Sequence, residues 1–192
     1  MNADKAPAVQ SPPAAPKASA YATIDTTTTA FARAKGGTLT FQGTDGPDVF
    51  TGGRGTNIYI GGPGADVMGS ATGKDIFIYQ SPADSPLAVP GGVIDQWAGD
   101  YLITGHSPTI DLTALHLTGG IVSKSTSHFT ANLDRGAGFF GTASVVEQHM
   151  SSGYPKADWW RAYIDTNRDG NLDAGDMMIQ GASFSRGPTF LF

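Results

Sequence analysis

The chain has 192 residues, of which 26 are glycine and none is cysteine, and its formal net charge is −5, with 17 acidic against 12 basic side chains. No Lys/Arg cluster interrupts that acidic balance, which argues against a nucleic-acid surface, and no apolar run approaches the eighteen or so residues of a membrane-spanning helix. Without disulfides, stability has to come from a packed core or from bound metal.

Residues 1–20 contain seven Ala and four Pro and almost nothing large. That composition predicts an extended segment unable to bury a core. It has no basic start followed by an apolar run, so no Sec-type signal peptide is expected. Tyr21, Ile24 and Phe31 in residues 21–33 fit a strand or helix covering one end of the next region, and equally fit more tail. Residues 1–33 form the first expected unit.

The second unit, residues 34–78, is organised by Gly43–Ile78, which divides into GTDGPDVFT, GGRGTNIYI, GGPGADVMG and SATGKDIFI. Gly46, Gly55, Gly64 and Gly73 recur every nine residues. Two positions after each stands Asp48, Asn57, Asp66 or Asp75, and two further on stands Phe50, Tyr59, Met68 or Phe77. The third block satisfies G-G-x-G-x-D-x-U-x throughout, the nonapeptide of calcium-binding parallel β-rolls. Glycine lets a short turn curl its carbonyls inward, and Asp adds a carboxylate to that ring. Calcium takes six to eight oxygens, so such a set suits it. The last three residues of each block form a strand whose middle side chain enters the coil. Upstream, AKGGTLTFQ keeps Gly37 and Phe41 in phase but has Leu39 in place of Asp, which predicts a strand without a ligand.

The third unit, residues 79–192, begins with the turn-rich YQSPADSPLAVPGG. Residues 117–164 alternate apolar and polar in short runs, which predicts antiparallel strands. Trp159 and Trp160 are adjacent, so in a strand they face opposite sides, one into the core and one exposed or covered by a loop. Asp165, Asn167, Asp169, Gly170, Asn171, Leu172, Asp173 and Asp176 then fit the EF-hand loop template, with Asp instead of Glu at its last position. The flanks, RAYI and MMI, read as strands, so the expected form is an Asp-rich calcium hairpin without helices. No catalytic motif is present. His106, His116, His128 and His149 are scattered, and Glu147 is the only glutamate.

The nonapeptides resemble the RTX (repeat-in-toxin) family, and the segment after them resembles the noncatalytic C-terminal domain of the serralysins. The resemblance spans about Gly36 to Phe192. It implies two nonapeptides per coil, with Asp48 paired to Asp66 on one edge and Asn57 to Asp75 on the other. Asn57 departs from the family's Asp, which implies a weaker second site. Asp95-Gln-Trp97, Gly99-Asp100 and Ile110-Asp111-Leu112-Thr113 match the serralysin pattern with about eight residues inserted. Asp95 is the candidate ligand of a closing calcium site, against a surface or turn Asp. The apolar end, Phe190-Leu191-Phe192, fits an uncleaved type I secretion signal, although Thr189 lacks the family's charge.

Together these readings predict an all-β protein, a parallel β-roll followed by a β-sandwich-like region. The expected function is that of a secreted, non-enzymatic, calcium-binding extracellular protein with a structural or adhesive role. It would be carried by a type I exporter and fold on calcium binding outside the cell. The alternative is a calcium-dependent carbohydrate-binding module or accessory domain of a secreted hydrolase, with a polysaccharide or a cell-surface protein as partner. The residues after Tyr79 are expected to hold a core that does not depend on the repeats.

Overall fold

The computed structural model describes residues 23–25, 30–31, 35–89, 93–94, 99–126, 138–150, 157–184 and 187–192. The repeats deliver their strands in alternation to two facing sheets. In chain order these are β1 (Thr23–Asp25), β2 (Ala30–Phe31), β3 (Lys35–Gln42), β4 (Val49–Thr51), β5 (Arg54–Ile60), β6 (Val67–Ser70) and β7 (Lys74–Ile78). A small antiparallel pair follows, β8 (Ala88–Val89) with β9 (Val93–Ile94). The remainder comprises β10 (Asp100–Thr104), β11 (Thr109–Asp111), β12 (Gly120–Thr126), β13 (Ala143–Met150), β14 (Asp158–Ile164), β15 (Met177–Ser183) and β16 (Thr189–Leu191). The fold is all-β. The helical elements among the described residues are short 3-10 turns at Pro82–Asp84 and Thr113–Leu115.

The first sheet has the order β1-β3-β5-β7-β11-β16 and is parallel throughout. The second has the order β12-β13-β14-β15-β10-β6-β4-β2. Both sheets run on past Ile78 without a break, because β10 and β15 extend one and β11 and β16 extend the other. Each of β2, β4, β6, β10 and β15 is followed along the chain by its counterpart in the opposite sheet, so the coil of the repeats continues to the C-terminal strand.

The side chains at the ninefold positions fill the space between the sheets. Phe41, Tyr59 and Phe77 stack ring on ring, with centroids 4.9 and 4.7 Å apart. Opposite them Phe50, Met68 and Leu102 lie in register. Each such side chain contributes roughly 1.5–3 kcal/mol by leaving water. One cluster joins these residues to Ile110, Trp160, Ile164, Ile179 and Phe190. The expected independent core beyond Tyr79 is therefore not found. Leu102 packs on Met68 and Ile110 packs on Phe77, so the later strands share the core of the repeats. A second cluster, Leu87, Phe140, Val146, Tyr163, Leu172 and Met178, covers the outer face of the second sheet around β13 to β15.

Two further expectations meet the structure here. The pairs β13–β14 and β14–β15 are antiparallel, but β12 runs parallel to β13. Apolar alternation reports that a strand exists, whereas its direction depends on the connection, and residues 127–142 are long enough for a crossover. Of the adjacent tryptophans, Trp160 is fully buried, and Trp159 lies partly exposed on the outer face against Tyr101.

The shared core makes unfolding a single event. Phe77→Ala should destabilise the folded protein by about 3–5 kcal/mol, and the urea midpoints read by circular dichroism and by tryptophan fluorescence should fall together. Loss of the dichroism of the repeats at a midpoint that leaves the tryptophan signal unmoved would contradict one continuous core.

Candidate metal centre

On one edge of the roll the turns before β4, β6 and β10 lie above one another. The register Val49 to Val67 to Tyr101 sets the preceding residues Asp48, Asp66 and Asp100 in a column, with successive chains about 4.8 Å apart. All three carboxylates are buried. The Asp48 amide donates to Asp66 Oδ1 at 2.8 Å, and the Asp66 amide donates to Asp100 Oδ1 at 2.9 Å. Asp48 Oδ2 accepts from the Thr44 amide at 2.7 Å and from its hydroxyl at 3.0 Å. Asp48 Oδ1 and Asp66 Oδ2 are buried without a hydrogen-bond donor. Backbone crowds the column. A Cβ on Gly43 would collide with the Gly61 carbonyl, and one on Gly61 would collide with Asp66 Oδ2.

The loop between β7 and β10 caps this edge. The Gly64 amide donates to the Ala83 carbonyl at 3.2 Å, which seats the Pro82–Asp84 turn on the turn before β6. Asp84 accepts from the amides of Gln80 and Ser81 at 2.7 and 3.1 Å. The buried Tyr79 hydroxyl donates to Asp100 Oδ2 at 2.9 Å. In the next rung Ile179 stands opposite Asp100, so the carboxylate column ends there. Ser85 Oγ takes over by accepting the Asp100 amide at 2.8 Å and donating to the Met178 carbonyl.

Burial raises the Asp66 pKa to about 7, the Asp48 amide opposes that shift, and the charges acting on it, from Asp48 and Asp84, are both negative. Asp100 is pushed well above the ordinary carboxylate range, by burial first and then by Asp66. The column is thus rich in oxygen, crowded with like charge and short of donors, which is the chemistry a hard divalent cation satisfies.

On the other edge Asn57 stands beside Asp75. Here the polar atoms satisfy one another. Asn57 Nδ2 donates to Asp75 Oδ1 at 2.9 Å, Ser70 Oγ lies 2.8 and 2.9 Å from the two Asp75 oxygens, and Asn57 Oδ1 accepts from the Gly53 amide at 3.2 Å. An ion would have to displace the Asn57 amide from Asp75, whereas on the first edge it would meet oxygens that lack a donor. Gly55, Gly64 and Gly73 have positive φ of 106°, 152° and 110°. Gly46, which precedes Pro47, is not among the positive-φ glycines, as a residue before proline favours the extended region.

The Asp165–Asp176 segment joins β14 to β15 as a hairpin between strands. Asp165 and Asp176 are buried at its base. Asp165 Oδ2 accepts from the Gly170 amide at 3.0 Å, and its Oδ1 has no partner. Asp176 accepts from the amides of Thr166 and Asp173 at 3.2 and 2.9 Å, and burial raises its pKa to about 7. Asn167 and Asp169 cap the amides two residues on, at 3.0 and 2.7 Å. Asn171 Oδ1 accepts from the Gly138 amide at 3.1 Å, and Asp173 accepts from Asn167 Nδ2 at 3.3 and 3.4 Å. Among the described residues no three His, Asp or Glu side chains converge to enclose an ion by themselves, so carbonyls or water have to complete any shell. Asp95 lies outside the described residues. Asp100 and Ser85 were not among the expected ligands or bridges. The signal for Asp100 is the triplet Asp100-Tyr-Leu, which repeats Asp48-Val-Phe and Asp66-Val-Met at a spacing of 34 instead of 18 residues.

The raised pKa values fix the sign of a pH effect. An Asp with a folded-state pKa near 7 and an ordinary value of 3.8 when unfolded holds a proton in the folded state that the unfolded chain has already lost. In chelator the metal-free roll should therefore be most stable near pH 4, lose stability as pH rises to about 7, and be open above. Asp66→Asn should flatten that slope in urea titrations. An unchanged slope would mean that Asp66 is not the buried acid.

A model of the RTX calcium-binding nonapeptide repeat, four copies long, matches residues 40–68. No curated protein matches the chain. Those residues run from β3 through the turns of Asp48, Asn57 and Asp66, and RTX repeats bind Ca2+. Over residues 40–68 the chain therefore carries calcium-binding repeats of the RTX type.

Proposed function

We propose that the chain is a secreted, non-enzymatic RTX protein with a structural or adhesive extracellular role, whose roll forms when calcium is bound. The observation that carries this reading is the pair of buried, donorless carboxylate oxygens on Asp48 and Asp66, stacked turn on turn, with burial raising the pKa of Asp66. In this reading calcium is held first by Asp48 and Asp66 with carbonyls of the Gly46 and Gly64 turns, and Asp100 closes the column. A weaker ion lies at Asn57 and Asp75 with the Gly55 and Gly73 turns, and another at the Asp165–Asp176 loop. Calcium supplies the positive charge that the column lacks. The protein's own groups position the carboxylates, exclude water and fix the turns.

Calcium modules outside cells bind at roughly 10⁻⁴–10⁻³ M, above cytosolic free calcium, so a chain gated in this way stays open inside the cell and closes after export through a type I channel. The RTX repeat is a structural motif and not a catalytic one. Among the described residues no helix is long and apolar enough to cross a membrane.

Calorimetric calcium titration tests the assignment. Asp66→Ala should remove at least one ion from the stoichiometry. Asn57→Asp should tighten the second edge, because it adds a carboxylate to a hard-cation site. Unchanged stoichiometry in Asp66→Ala would overturn the first site, and unchanged affinity in Asn57→Asp would remove the second.

A further inference from the structure

The outer face of the second sheet changes character along its width. Around β13 to β15 it is covered by Phe140 and Leu172. Toward β4, Val49, Val67 and Ile103 remain 38, 38 and 44 % exposed. At the boundary the rings of Tyr101 and Trp159 stand 6.2 Å apart and tilted by 41°. They border a hollow of about 410 Å³, also lined by Val67 and Gln180, within the size range of small-molecule sites. The Gln180 amide is oriented in advance, because its Oε1 accepts from Arg161 Nη2 at 3.0 Å, and Arg161 is in turn bonded to the Tyr163 hydroxyl at 3.4 Å.

We propose that this hollow binds a neutral polysaccharide, with one or two sugar rings lying against Tyr101 and Trp159 above the Gln180 amide. A pyranose has a flat C–H face and a rim of hydroxyls. Two inclined aromatic rings match the face, and a planar amide matches the rim. Charge disfavours an acidic sugar chain, since the protein carries a net charge of −5. Size disfavours a protein partner. The five strands from β4 to β14 span about 19 Å at 4.8 Å per strand, and two outward residues on each strand give an area on the order of 200 Å², far below the roughly 800 Å² per partner of a stable complex. The inference rests on the calcium-dependent roll, because Ala65, Asp66 and Val67 of the calcium turn line the hollow.

The test is a titration of the calcium-replete full chain with neutral hexasaccharides of β-1,4-glucose, β-1,3-glucose, α-1,4-glucose and β-1,4-N-acetylglucosamine. A hexamer of galacturonate serves as the anionic control, and binding is read by calorimetry and tryptophan fluorescence. At least one neutral sugar should bind more tightly than the galacturonate. Trp159→Ala should weaken that binding by about tenfold or more, and Trp159→Phe, which keeps a ring, should retain most of it. Circular dichroism and calcium stoichiometry on the same samples report the state of the roll separately. Folded, calcium-loaded protein that binds none of the neutral sugars would overturn the proposal and leave the calcium reading standing. Preference for galacturonate, unchanged affinity in Trp159→Ala, or self-association that Trp159→Ala abolishes would each overturn it as well.

Discussion

Stacking Asp48, Asp66 and Asp100 one above another places negative charge at neighbouring positions in a buried edge. Like unit charges a few ångströms apart repel by about 1 kcal/mol in water and by more when partly buried, and carboxylates left without donors add a desolvation cost. The structure relieves part of this by directing the Asp48 and Asp66 amides onto the next carboxylate and the Tyr79 hydroxyl onto Asp100. One oxygen on each of Asp48 and Asp66 is left over. In the proposed reading, bound calcium would answer the remainder with charge and coordination together, which would make metal binding part of folding itself.

In that reading the rest of the fold inherits the dependence on calcium. The turns carry little apolar surface, and each nonapeptide commits one large side chain to the core, so the repeats alone are too small a unit to be stable. Leu102, Ile110, Trp160 and Phe190 enlarge that core from the later strands. They reach it only if the sheets of the repeats are in place. Calcium bound at one edge, as proposed, would thus bear on strands far along the chain, including β15, which Ser85 ties to Asp100.

The repeats were legible because three properties recur together every nine residues, and each has its own physical reason: glycine for the turn, an oxygen ligand, and a large apolar side chain for the core. The strand flanks of the Asp165–Asp176 hairpin were legible for a similar reason, since RAYI and MMI have strand character where an EF-hand would have helices. Asp100 escaped the ninefold reading because the Pro82–Asp84 loop breaks the spacing, and hydrogen bonds between stacked turns leave no trace in sequence order. The parallel course of β12 and the merging of the two expected cores were hidden too. Both depend on which strands become neighbours, and alternation along one strand does not carry that information.

Amide exchange across Gly43–Ile78, followed in chelator and again in millimolar calcium, tests the coupling of metal to folding most directly. Protection should be weak without calcium and strong with it, and the amides of Leu102 and Ile179 should respond in step. Strong protection of Gly43–Ile78 in chelator would contradict it, even if calcium still binds.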